Sequence, residues 1–191
     1  MANIANKVTI LRILLIPVFM AFLLGRLPYG EWLAVIVFTI AAITDSVDGY
    51  LARKHNQITV FGQFFDPLAD KLLISAALVA LVDLGTLSAW IVMLILTREF
   101  AVSGLRLMAV VKGVVVPASV LGKIKTISQI VAVIAWILMP AVVPKELAVV
   151  LMGGAVVITV VSGVDYYIKI KPTLEMREEE GRQQSVQMPR S

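Results

Sequence analysis

The sequence predicts an all-α integral membrane protein with six transmembrane helices. Hydrophobic residues make up 59% of the chain, against roughly 45–50% in average soluble domains, and the mean hydropathy is +0.92. Apolar runs recur along the whole length and are separated by short segments that contain Gly, Pro or charged residues. A soluble domain of this size could not bury so much apolar surface, so we expect the runs to cross a membrane.

The boundaries of the six spans follow from the turn residues between the apolar runs. The predicted spans are about 8–24, 32–53, 62–82, 88–111, 118–139 and 146–167. The segment from Lys171 onward is charged and polar, and its composition is typical of a disordered tail. We therefore expect a six-helix transmembrane domain over residues 1–170 and a disordered cytoplasmic tail over residues 171–191.

The distribution of basic residues predicts the orientation in the membrane. With six spans, one side of the membrane receives Lys7, the Arg53–Lys54 loop, residues 112–125 and Lys169, whereas the other side receives only Arg26 and Lys145. Because cytoplasmic loops carry the excess of Lys and Arg, both termini and the loop after the second span are predicted to be cytoplasmic. The membrane that the spans cross is predicted to be the cell membrane. The 17 basic residues are then explained by orientation and anionic lipids, and nucleic acid is not an expected partner.

Four carboxylates flank the short polar link between the second and third spans. Their spacings of three and four residues place each pair on one helical face: Asp45 with Asp48, and Asp66 with Asp70. Four facing carboxylates cannot all stay ionised unless a cation lies between them. Oxygen ligands favour Mg²⁺ or Mn²⁺, and two ions about 3.5–4 Å apart would also bind a diphosphate. The chain has no cysteine, which excludes a thiolate metal site.

The residues around the acids leave room for a ligand. Gly49 and Ala52 remove side-chain bulk from the second span, and Gly62 does the same on the third. Arg53 stands at the cytoplasmic mouth, where a planar guanidinium can bind phosphate oxygens. Only 13 residues, 32–44, separate Glu31 from the motif, although a span needs roughly 20. The motif must then be part of the span, at or just below the headgroup level.

Two classes of protein use acids inside a membrane. Such acids could form an ion or proton path in a transporter, and small residues often serve helix packing. The complete pattern, D-x2-D-G-x2-A-R-x8-G-x3-D-x3-D, has eight fixed positions. It favours an enzyme, because ion transport has no use for the ligand space at Gly49 and Ala52 or for a phosphate-binding Arg53.

At every fixed position this pattern resembles the signature of the CDP-alcohol phosphotransferase family. The resemblance implies the six-helix fold of that family, commonly a homodimer, and transfer of a phosphatidyl-type group from a CDP-linked donor to an alcohol. It also implies that Asp45, Asp48 and Asp66 are metal ligands, and that Asp70 lies close to the metals and acts as general base. The remaining signature residues would line the nucleotide and diphosphate pocket: Gly49, Ala52, Arg53 and Gly62.

A second polar group, on the fourth and fifth spans, bears on the acceptor. Arg98 and Arg106 lie on the fourth span with Glu99, and Lys123, Lys125 and Thr126 open the fifth. Cations beside a metal site favour an acceptor that is itself a phosphate, and glycerol 3-phosphate fits this requirement. Glu99 could be a structural partner for a buried arginine, and both lysines could be ordinary cytoplasmic flanking charges.

We expect Arg98, Arg106 and Lys123 to contact the acceptor phosphate, with Lys125 and Thr126 as further candidates. Lys123 and Lys125 point about 200° apart on a helix, so only one should face the cavity. We favour Lys123, because Thr126 shares its face three residues later and could add a hydrogen bond.

The whole pattern predicts that CDP-diacylglycerol and glycerol 3-phosphate are the substrates. The segments NKVTILR, TREFAVSGLRL, GKIKT and SGVDYY are similar to bacterial members of the family that make phosphatidylglycerol phosphate. A related enzyme that uses phosphatidylglycerol, serine or an inositol phosphate is the nearest alternative, and a divalent-cation or proton-coupled transporter is the more distant one.

Overall fold

The structure of the protein is a computed structural model that describes the backbone of residues 4–25, 27–54, 60–111 and 120–187, and the side chains of residues 10–25, 27–44, 71–110 and 120–172. All regular structure in these ranges is helical, which confirms the predicted all-α class. The helices are α1 (Ile4–Leu24), α2 (Gly30–Lys54), α3 (Val60–Asp83), α4 (Ala89–Val111), α5 (Val120–Ile137) and α6 (Lys145–Gln187). Apart from the C-terminal end of α6, each boundary lies within about four residues of the predicted one.

The C-terminal end of α6 differs from the prediction. The helix spans 43 residues and continues through Pro172 to Gln187, beyond the predicted end of the sixth span near residue 167. The assignment of residues 171–191 as a separate cytoplasmic tail stays a prediction. Low hydrophobicity was the only signal for disorder, whereas Glu, Arg, Gln and Met, which fill this segment, are all good helix formers.

The turn between α3 and α4 shows why the apolar runs are interrupted. Gly85 has a φ of 69°, which a residue without Cβ adopts at little cost. Its N–H donates to the carbonyl of Val82 at 2.9 Å, and the N–H of Thr86 donates to the carbonyl of Leu81 at 3.2 Å. These bonds satisfy the last carbonyls of α3 and end the helix. The predicted break at Gly113 and Pro117 lies outside the described residues.

The main core lies between the first three helices and extends to α5. α1 packs on α2 and α3, and α3 also contacts α4 and α5. Phe19 of α1 and Phe38 of α2 are completely buried, with ring centroids 5.5 Å apart. This packing positions the apolar part of α2. The acidic motif follows directly in the same helix.

A second, smaller cluster joins α4 to α6. Its buried members are Val102 and Ala109 from α4 and Tyr166 and Ile170 from α6. α6 also packs along α5. α6 therefore packs against both α4 and α5, the helices that carry the buried polar residues.

Within the described ranges, two helices are long and apolar enough to cross a membrane by themselves: Val120–Ile137 and Lys145–Pro172. Ile10–Leu24 and Gly30–Thr44 are shorter apolar segments. The second of these ends at Thr44, which is also the last residue of α2 whose side chain the structure describes.

Candidate active site

The eight signature residues lie on the two helix segments that flank residues 55–59. The segment of α2 from Asp45 to Arg53 carries five of them, and the segment of α3 from Gly62 to Asp70 carries three. The side chains of Asp45, Asp48, Gly49, Ala52, Arg53, Gly62, Asp66 and Asp70 lie outside those that the structure describes. Their roles as metal ligands, general base and pocket lining therefore stay predictions.

The backbone agrees with the spacing on which the metal prediction depends. Asp45 and Asp48 are three residues apart within α2, and Asp66 and Asp70 are four apart within α3, so each pair shares a helical face. α2 and α3 also contact each other. Oxygen donors of this kind fit Mg²⁺ or Mn²⁺. Among the described side chains, no other group of three or more Asp, Glu, His or Cys residues could hold a metal.

A buried polar cluster lies beside the acidic motif, and Glu99 of α4 is at its centre. Only 8% of Glu99 is exposed. Its Oε1 accepts hydrogen bonds from Lys125 Nζ at 2.5 Å and from Gln129 Nε2 at 3.4 Å, both on α5. Arg98 Nη1 donates to the same oxygen at 3.4 Å. A charge buried this deeply requires such partners, because an unpaired carboxylate would be costly.

α6 contributes two hydroxyl groups to this cluster. Ser162 Oγ accepts a hydrogen bond from Arg98 Nη2 at 2.8 Å, and Thr159 Oγ1 accepts one from Gln129 Nε2 at 2.9 Å. Both hydroxyl residues are at most 1% exposed. The cluster therefore joins α4, α5 and α6 through polar contacts, in addition to their apolar packing.

Lys71 connects the cluster to α3 and to the acidic motif. It directly follows Asp70 in the chain, and its Nζ donates to Ser103 Oγ, whose hydroxyl in turn donates to the Glu99 carbonyl at 2.6 Å. A crevice of about 10 Å³ lies at this junction, which is the room taken by about one water. It is lined by Lys71, Ile74, Ser75, Glu99, Lys125, Thr126 and Gln129. Among the described charges, Lys71, Arg98 and Lys125 outnumber Glu99, which suits an anionic ligand.

The predicted acceptor residues differ in where they lie. Lys125 and Thr126 line the crevice, and Lys125 is 7% exposed. Lys123 is exposed and does not line this crevice, and its contact with the acceptor phosphate stays a prediction. Thr126 follows Lys125 by about 100° around the helix, which lets both line one crevice while Lys123 lies on the opposite face from Lys125.

The two arginines of α4 that were predicted to bind the acceptor phosphate lie in different surroundings. Arg98 is bound between Glu99 and Ser162. Arg106 is exposed and lies over the ring of Tyr166 at 5.8 Å, in cation–π contact. The structure therefore brings Arg98, Lys125 and Thr126 to the Glu99 cluster and places Arg106 about two turns farther along α4. No phosphate contact of these residues is established, and that part of the prediction remains open.

The residues that the sequence analysis missed are the polar partners within apolar helices: Lys71, Gln129, Thr159 and Ser162. Gln129 lies one turn after Lys125, and Thr159 lies within the most apolar span. Polar residues inside a span are a signal in themselves, because they require partners there. That signal could have selected these positions, although it could not have paired them.

Comparison with known proteins agrees with the signature. Residues 2–161 match the family model described as CDP-alcohol phosphatidyltransferase, and the chain belongs to this family. A Bacillus subtilis protein named CDP-diacylglycerol–glycerol-3-phosphate 3-phosphatidyltransferase is 49% identical over 184 residues, covering 88% of this chain and 95% of the relative.

Two further relatives extend the comparison to other bacteria. A Mycobacterium tuberculosis protein named probable phosphatidylglycerophosphate synthase is 46% identical over 169 residues, covering 86% of this chain and 80% of the relative. A Rickettsia typhi protein with the same name as the Bacillus relative is 42% identical over 132 residues, covering 69% and 74%.

Proposed function

We propose that the protein transfers the phosphatidyl group of CDP-diacylglycerol to glycerol 3-phosphate, giving phosphatidylglycerol phosphate and CMP. Three findings support this activity: the intact family signature on α2 and α3, the names of relatives that are 42–49% identical, and the cationic crevice. The crevice is the structural observation that carries the choice of acceptor. Buried Lys125 and half-buried Lys71 and Arg98 give an excess of positive charge over Glu99 among the described residues of this cluster. This excess suits an alcohol that bears a phosphate, whereas a neutral alcohol would not need it.

The reaction exchanges one phosphorus–oxygen bond for another. A hydroxyl oxygen of glycerol 3-phosphate bonds to the phosphorus that carries diacylglycerol, and the bond from that phosphorus to CMP breaks. The attacking hydroxyl loses its proton, and we assign Asp70 as the acceptor of that proton because a neutral hydroxyl attacks poorly. CMP leaves with the electron pair of the broken bond.

The acidic motif is the proposed site of two divalent cations. Asp45, Asp48 and Asp66 would hold them, with Asp70 adjacent. When bound, Mg²⁺ or Mn²⁺ would supply positive charge against the diphosphate and the leaving group. Gly49, Ala52, Arg53 and Gly62 would leave space for the nucleotide and bind its phosphates.

The acceptor phosphate would bind at the mouth of the crevice, because the crevice itself has room for about one water. Lys125 and Thr126 are the nearest of the predicted ligands, and Arg98 supports them through Glu99. Arg106 and Lys123 are exposed, so we propose for them a weaker, electrostatic contribution at the entrance.

We propose that all six helices cross or enter the cell membrane, with both termini and the acidic motif on the cytoplasmic side. Exposed apolar residues one and two heptads apart on α6, Val150, Val157 and Val164, suit lipid contact. Trp32 and Trp90 are exposed near the starts of α2 and α4, at the ends away from the motif, where aromatic residues favour the membrane interface.

We further propose a homodimer, as the family resemblance implies. The mass of the purified protein without its detergent tests this directly. A dimer requires twice the chain mass of 20.8 kDa, and a mass of one chain in a catalytically active preparation would contradict it.

The activity is tested by following CMP release from CDP-diacylglycerol with purified protein. We expect release to require both Mg²⁺ or Mn²⁺ and glycerol 3-phosphate, and to stop on chelation of the metal. Serine, inositol phosphate and phosphatidylglycerol serve as alternative acceptors in the same assay. Release that depends on one of them and is indifferent to glycerol 3-phosphate would overturn the proposal.

A further inference from the structure

The side chain of Arg98 on α4 passes directly over Gly163 of α6. A Cβ atom placed on Gly163 would lie 2.8 Å from Arg98 Cγ and 3.2 Å from Arg98 Nε. Real Cβ atoms essentially never come within 3.0 Å of another heavy atom, so any larger residue would displace the Arg98 side chain. Glycine at this position is therefore explained by the arginine that crosses it.

The adjacent residue of α6 binds the end of the same side chain. Ser162 Oγ accepts from Arg98 Nη2 at 2.8 Å, while Arg98 Nη1 donates to Glu99 Oε1 at 3.4 Å. The guanidinium is thus held between α6 on one side and the Glu99 carboxylate on the other. Because the guanidinium group is planar and rigid, an arginine held by contacts on two sides loses little freedom for each hydrogen bond formed.

The Glu99 carboxylate links the position of Arg98 to that of Lys125. Arg98 Nη1, Lys125 Nζ and Gln129 Nε2 all donate to Oε1 of Glu99, so a shift of Arg98 changes the electrostatic and steric surroundings of that one oxygen. Lys125 then lines the crevice together with Thr126. The contacts form a continuous series from α6 to the crevice.

We propose that Ser162 and Gly163 are positioning residues for acceptor binding: they fix Arg98, which fixes Glu99 and, through it, the Lys125 ammonium. This inference rests on the proposed function, because it assumes that Lys125 binds the acceptor. It assigns to α6 a role in acceptor specificity although none of its described residues lines the crevice.

Gly163→Ala tests the proposal, with Gly153→Ala as the matched control on the same helix. A Cβ on Gly153 would meet no atom within 4 Å, so this variant changes helix propensity in the same way without touching Arg98. We expect Gly163→Ala to raise the KM for glycerol 3-phosphate by about tenfold, since small misplacements of a binding group are costly. The KM for CDP-diacylglycerol should stay within about twofold, and Gly153→Ala should match the parent protein for both substrates.

Two further variants separate positioning from loss of packing. Ser162→Ala removes only the hydroxyl and should raise the KM for glycerol 3-phosphate by about tenfold, because the lost hydrogen bond comes from a charged guanidinium. In an Arg98→Ala background, Gly163→Ala should have no additional effect, because its only clash is with the missing side chain.

An equal rise in both KM values, or an effect of Gly163→Ala that persists without Arg98, would refute the positioning role. So would a Gly163→Ala protein that behaves like Gly153→Ala. If the parent protein releases CMP with another alcohol and not with glycerol 3-phosphate, the proposed function fails instead. The same comparison, made with that alcohol, would still decide whether α6 positions the acceptor site.

Discussion

Replacement of Lys125 by methionine is the substitution that most clearly separates acceptor binding from the rest of the reaction. Methionine is unbranched and only one heavy atom shorter than lysine, and it carries no charge. A hydrogen bond to a charged group contributes about 1.5–3 kcal/mol, and each 1.4 kcal/mol is about tenfold. We therefore expect kcat/KM for glycerol 3-phosphate to fall by about ten- to a hundredfold, with the KM for CDP-diacylglycerol nearly unchanged.

The fold should survive this change. Glu99 keeps Arg98 and Gln129 as hydrogen-bond donors, so its carboxylate is not left alone in the interior. Lys123→Met is the matched control, because it removes the same charge from the same helix at an exposed position. Saturation curves for each substrate, measured on both variants, provide the comparison. An equal loss in the two variants would refute the assignment of Lys125 as the inward-facing lysine, and a loss confined to the donor would mean that the lysine binds the CDP diphosphate.

Three other predictions concern the metal, the nucleotide and the core. Asp66→Asn should abolish transfer and leave a folded, membrane-inserted protein, because it removes a metal ligand; near-normal turnover at ordinary Mg²⁺ would contradict a metal role for this residue. Gly49→Leu or Ala52→Leu should raise the KM for CDP-diacylglycerol and leave metal binding intact, as measured by Mn²⁺ titration; an unchanged donor KM in both would place the pocket elsewhere. Phe38→Ala should lower the melting temperature in detergent. We place its cost near the low end of the roughly 3–5 kcal/mol range for such core changes, because lipid removes the contribution from transfer out of water. Ile36→Ala, at an exposed position, is the control. Equal melting temperatures for the two variants would refute the stabilising role of Phe38.

The order and approximate ends of the helices were predictable because apolar runs and turn residues act locally. Gly85 ends α3 through its own backbone conformation and its bonds to the preceding turn, and nothing distant is needed to explain it. The extension of α6 to Gln187 was missed because apolar composition reports burial, whereas helix formation in water depends on propensity.

The partners within the buried cluster could not be predicted from the sequence. The lysine that faces inward depends on the rotation of α5 against α4 and α6, which helical spacing does not determine. Sequence spacing correctly separates Lys123 from Lys125 by about 200°, but only the contact with Glu99 shows that Lys125 is the buried one. In the same way, Gly163 is an ordinary small residue in the sequence, and its role becomes clear only where Arg98 crosses it.

The identity of the lipid product tests the central claim most directly. Purified protein in mixed micelles would receive CDP-diacylglycerol, Mg²⁺ and glycerol 3-phosphate that carries a phosphorus label, and the lipid and aqueous phases would then be separated. We predict that the label enters the lipid phase, one labelled phosphate for each CMP released, in a lipid with two phosphates. A label that stays in the aqueous phase while CMP is released would contradict transfer to glycerol 3-phosphate.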